Sequence, residues 1–176
     1  METSVIPTEA RTAPKFYEEG NWVVADWGMI NAAMNSRSGS IRLRHERAYS
    51  SNRPSWNISD DRAVEIARAF VTKTKILGNV ETNLKLGKVT HLRGQTFARG
   101  EVSPEFILDA GVIFTREVDR IPVVGQGGQL MVNLDSTEAI VGGSRIWRDI
   151  AGAAGKTKIK PPDYAVAELQ KRLKQR

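Results

Sequence analysis

Residues 116–136, REVDRIPVVGQGGQLMVNLDS, constrain the fold more than any other stretch of the 176-residue chain. Pro122 has no N–H to donate to a ladder. Gly125, Gly127 and Gly128 concentrate conformational freedom in four positions. Leu130, Val132 and Leu134 then alternate with Met131, Asn133 and Asp135, the period of a half-buried strand. A long helix cannot hold this order, and an antiparallel meander can. The pattern predicts a strand VIFTREV ending near Pro122, and a reversal at Gly125–Gly128 with positive φ at Gly127 or Gly128. A returning strand QLMVNLDS, a turn at Asp135-Ser136 and a third strand EAIVGG follow. Glycines used for a reversal require no phosphate.

Other segments extend this picture. In SIRLRHERAYS, Ile41, Leu43 and His45 fall on one face while Arg42, Arg44 and Glu46 fall on the other, which predicts a strand paired with NWVVADWGMINAAMN before it. Ser59 can cap a helix that opens on Asp60 and Asp61, where carboxylates complement the helix dipole. Ala63, Ile66, Ala67, Phe70, Thr74 and Leu77 form its apolar stripe, and Gly78-Asn79 ends it. Asp109-Ala110-Gly111 reads as a turn. The expected fold is α+β: an antiparallel meander on one main α-helix, with an extended N-terminal arm and a short C-terminal helix. Its divisions are 1–20 (arm), 21–150 (α+β domain) and 151–176 (linker and C-terminal helix).

Composition removes several classes of function. There is no cysteine, so disulfides and thiolate catalysis are excluded. His45 and His91 are the two histidines, with no short-spaced partner for a zinc site, and no cofactor is expected. Gly152-Ala-Ala-Gly155-Lys156-Thr157 imitates part of a phosphate loop but has Ile150 where the first glycine is required. No apolar run approaches the ~20 residues of a membrane span. The N-terminal stretch has neither a basic nor an apolar signal region.

From Phe114 onward the order resembles PepSY-type repeats, found in metallopeptidase propeptides and extracytoplasmic regulators. Phe114, Arg116, Ile121-Pro122-Val123, Gly125, Val132, Leu134, Asp135 and Val141 carry the resemblance, over residues 59–150. Arg120 stands where glycine is usual, and the Asp135 turn lacks its following glycine. The resemblance implies a cystatin-like fold, an extracytoplasmic setting, and binding to another protein, such as a peptidase, without turnover; without it a cytoplasmic setting is expected.

The net charge of +6 is unevenly spread. Arg42, Arg44 and Arg47 cluster, Arg116 sits in the aromatic-x-Arg strand, and Arg145 and Arg148 flank Trp147. Arginine and tryptophan are common at energetic centres of interfaces. These seven residues are the expected contacts for an acidic partner in a non-catalytic, regulatory or assembly module. One alternative is a small-molecule enzyme or ligand binder with a cavity at Trp22, Asp26, Trp27, His45 and Tyr49. Another is a binder of polyanions or nucleic acid, and oligomers fit any of the three.

Overall fold

The computed structural model of the chain describes residues 13–45, 55–74, 84–118, 121–123, 127–147, 163–164 and 170–171. Its elements in chain order are β1 (Lys15–Glu19), β2 (Trp22–Asp26), β3 (Ile30–Asn35), β4 (Ile41–His45), α1 (Asp60–Lys73), β5 (Leu84–Gly94), β6 (Phe97–Ala98), β7 (Glu101–Val102), β8 (Phe106–Val118), β9 (Ile121–Pro122), β10 (Gly128–Leu134) and β11 (Ile140–Trp147). The main sheet runs β1-β2-β3-β4-β11-β10-β8-β5, with β9 added beside β8, nine strands in all. Each of these pairings is antiparallel. Strand makes up 57% of the described residues and helix 16%.

This overturns the expectation of an α+β, cystatin-like meander wrapped on one main helix with a short C-terminal helix. The molecule is mostly antiparallel sheet. One 14-residue helix lies against β5, β8 and β10. Part of the presumed arm, Lys15–Glu19, is edge strand β1. Residues 22–35 form two strands, because Trp27 N–H donates to the Ile30 carbonyl (2.8 Å) and Gly28 takes φ 84. Asp109, Ala110 and Gly111 form no turn; they lie inside β8, paired with β5. The linker and C-terminal helix expected at 151–176 fall outside the described residues except for 163–164 and 170–171.

The chain builds the sheet from two edges inward. β1 to β4 meander in sequence, α1 crosses over, β5 begins at the far edge, and β8, β10 and β11 return to meet β4. One face is covered by α1. There Ala63, Ala67, Phe70 and Val71 meet Ala110, Val112 and Phe114 of β8 and Leu130, Val132 and Leu134 of β10. The helix starts where the sequence places it but stops short of Leu77 and Gly78-Asn79, which lie outside the described residues. The Ser59 hydroxyl accepts from Arg62 N–H at 3.2 Å, Asp60 and Asp61 occupy the first turn, and the helix stops at Thr74, which is extended at ψ 133.

The opposite end of α1's first turn is tied to the sheet. Arg62 donates Nε to Glu138 Oε1 (2.9 Å) and Nη2 to Glu138 Oε2 (2.7 Å), a two-pronged pair with the β10–β11 turn. Asp135 Oδ1 shapes that turn by accepting from the Thr137 N–H and hydroxyl and from Ala139 N–H. The Arg62 hydrogen bonds hold the Glu138 carboxyl below its usual range and push the guanidinium still higher.

The glycine cluster does not make the reversal. Val118 pairs with Ile121, so the chain turns back between them, and β9 and β10 are successive parts of one returning strand along β8. Val123 lies over Gly128, and its N–H donates to the Arg116 carbonyl at 2.9 Å. Gly127 has φ 131, whereas Gly128 has an ordinary φ and is required for another reason. A Cβ at Gly128 would stand 2.7 Å from Val123 Cγ1.

Three outcomes follow. Phe70 is 2% exposed, so Phe70→Ala should lower unfolding free energy by about 3–5 kcal/mol in denaturant titration. Gly128→Asn, neutral if this were a left-handed turn position, should destabilise by about 1–3 kcal/mol through overpacking, and Val123→Ala in the same chain should recover part of the loss. Glu138 has a lowered carboxyl pKa, so its contribution is present above the ordinary carboxylate range and lost as pH falls through the folded value. Glu138→Gln should therefore lower Tm at neutral pH, and the gap from the parent should close in strong acid.

Candidate functional site

The side of the sheet away from α1 carries the candidate site. Alternation on β4 sends Ile41, Leu43 and His45 to the covered face and leaves Arg42 and Arg44 exposed on the open one. Register then sets their neighbours. Arg44 stands opposite Gly142, which stands opposite Asn133; Arg42 stands opposite Ser144, which stands opposite Met131. The result is a groove of about 610 Å³ whose lining includes Trp22, Arg42, Arg44, Met131, Asn133 and Ser144. Its floor is low because β11 presents Gly142 and Ser144 there. A Cβ at Gly142 would lie 3.3 Å from the Leu43 carbonyl oxygen.

The electrostatics are one-sided. No carboxylate among the described residues lines the groove. Among the described residues neither arginine is in an ion pair, whereas Arg62, Lys85 and Arg93 each have a glutamate. The Arg42 guanidinium lies 4.4 Å from the Trp22 ring centroid, a cation–π contact that fixes its position. Asn133 Oδ1 is buried without a hydrogen-bond partner among the described residues.

Of the other expected partner contacts, Trp147 also borders this groove, whereas Arg116 and Arg145 do not. Arg116 is 3% exposed on the covered face, its guanidinium 4.8 Å from the ring of Trp147, which is itself 4% exposed. Both are core residues at the end of the sheet, and they explain the aromatic-x-Arg strand without a ligand. Arg145 shares the covered face, in register with Leu130 on one side and Ile41 on the other. Arg47 and Arg148 lie outside the described residues.

The cavity suggested by Trp22, Asp26, Trp27, His45 and Tyr49 is not brought together. Trp22 and Asp26 sit at opposite ends of β2, and Asp26 Oδ1 is engaged by Gly28 N–H at 2.6 Å. Trp27 lies in the β2–β3 turn, and His45 is on the covered face opposite Ile30. Tyr49 is outside the described residues. The remaining histidine, His91, has Nε2 3.2 Å from Asp60 Oδ1 and meets Trp56 edge-on with centroids 5.6 Å apart, which ties β5 to the start of α1. No group of three His, Asp or Glu side chains among the described residues could hold a metal.

Sequence reasoning found Arg42, Arg44 and Trp22 but placed them in two different sites. It missed Gly142, Ser144, Met131 and Asn133. The signal available was Met131 and Asn133 on the minor face of an alternating strand, and it could not show which strand would stand beside them. No helix among the described residues is long and apolar enough to cross a membrane, a statement that does not concern strands. No family model, no curated protein and no solved structure matches this chain.

Proposed function

We propose that this chain is a non-catalytic binding module that takes an acidic partner protein on the open face of its sheet. The observation that carries the reading is the pair Arg42 and Arg44, exposed over a groove with no carboxylate among the described residues that line it. Positive charge without an internal counter-charge favours an anionic surface and speeds its approach. Among the described residues, the serines of the lining, Ser38, Ser40 and Ser144, have no histidine or carboxylate in that lining to act as base. Binding without turnover is also the role that the PepSY-type resemblance implies. Nucleic acid is less well served, because single strands stack on open rings, and of the two groove tryptophans Trp22 is occupied by Arg42 and Trp147 is buried against Arg116.

The test is binding of poly-L-glutamate to the unmodified chain and to an Arg42→Glu, Arg44→Glu double variant, over a range of salt. Affinity should fall more than about tenfold in the variant, and its dependence on salt should flatten. Tm should change little, since exposed charges contribute little to stability. Equal affinity in the two proteins would refute the reading. Binding of a single-stranded oligonucleotide well above that of poly-L-glutamate would replace it.

A further inference from the structure

We infer, resting on that reading, that the groove is a trough for one extended segment of the partner, with carboxylates at alternating positions facing Arg42 and Arg44. Its floor is the single strand β11, so its walls, β4 and β10, stand two strand spacings apart, about 10 Å. An extended chain fits that width with its side chains reaching either wall. A helix, about 10–12 Å across with side chains, does not.

The walls differ, and the difference specifies the segment. Arg42 and Arg44 are two residues apart on one strand, about 6.6 Å, which is also the repeat of same-side side chains on any extended chain. Carboxylates at positions i and i+2 of the segment therefore meet both guanidiniums together. The intervening side chains turn to β10, which presents Met131 level with Arg42 and Asn133 level with Arg44. Asn133 is only part-buried on that wall, and a hydroxyl or amide at the intervening position suits its side-chain amide. An apolar residue suits Met131. The stack on Trp22 holds the Arg42 guanidinium in place, which reduces the ordering cost of binding. The chemistry recognised is thus acid, hydroxyl or amide, acid, apolar, in a chain with no helical structure.

Two synthetic pentapeptides of identical composition test this. One has glutamate at positions one, three and five, with serine and leucine between; the other has three consecutive glutamates followed by serine and leucine. Both are titrated into the unmodified chain, so the result does not depend on any variant folding. The alternating peptide should bind at least about tenfold more tightly. Ser144→Phe, which fills the floor, should remove that preference, and Asn133→Leu should weaken the alternating peptide several-fold while leaving the blocked one unchanged. Equal affinity of the two peptides, abolished by Arg42→Glu with Arg44→Glu, would overturn the trough while the acidic-partner reading stood. Binding of neither peptide would overturn both. A folded Ser144→Phe protein that keeps the preference would also refute the trough.

Discussion

The pairing of β4 with β11 is the contact on which the rest of this molecule depends. It consists of four Cα partners, from Gly142 with Arg44 to Arg145 with Ile41, and it joins a meander built from the N-terminal strands to one built from the C-terminal strands. On the covered side it brings Ile41 and Leu43 against the core that α1 closes. On the open side it sets the two arginines beside Gly142 and Ser144. The groove does not exist without that seam, and the core loses the flanking cover of Ile41 and Leu43. A shift of register by one residue would exchange the two faces, sending Arg42 and Arg44 inward and leaving Leu43 in solvent.

Local features of the chain were readable where one short stretch holds all the information. The helix is an example: its cap, acidic first turn and most of its apolar stripe lie within residues 59–74, and helix and cap form there, although it ends at Thr74 and not at the expected Gly78-Asn79. The alternation of Ile41, Leu43 and His45, and that of Leu130, Val132 and Leu134, correctly marked strands and inward faces. Features that depend on distant partners were not readable. The glycine cluster looks like a hairpin turn, yet Gly128 is small because Val123 folds back over it. Asp109-Ala110-Gly111 has turn composition, but β5 and β10 on either side hold it extended. The α+β expectation failed for a related reason. One strongly amphipathic helix invites a fold centred on it, while the strands that outnumber it give weaker individual signals.

The candidate site shows the same division. Exposed arginines on one strand face could be recognised from period alone. Arg116 and Trp147 carry the same residue types and were grouped with them, but each buries the other at the end of the core. A guanidinium keeps its charge at any accessible pH, so an arginine against an aromatic ring can be either a surface anchor or an interior filler. Which of the two it is depends on the neighbouring strands, and for Arg116 the neighbour is Trp147 of β11.

The seam also has a consequence during synthesis. β4 is complete once His45 has been made, but its partner residues Ile140–Trp147 follow about a hundred residues later, a delay on the order of ten seconds at ordinary translation rates. For that interval β4 is an open edge at the growing end of a meander, with backbone donors and acceptors that any other nascent strand could engage. Cationic side chains on such an edge discourage pairing between copies, because like charges would be laid side by side. Arg42 and Arg44 can thus protect the ribosome-bound chain from its neighbours before β11 arrives, and the same charges are retained afterwards on the finished surface.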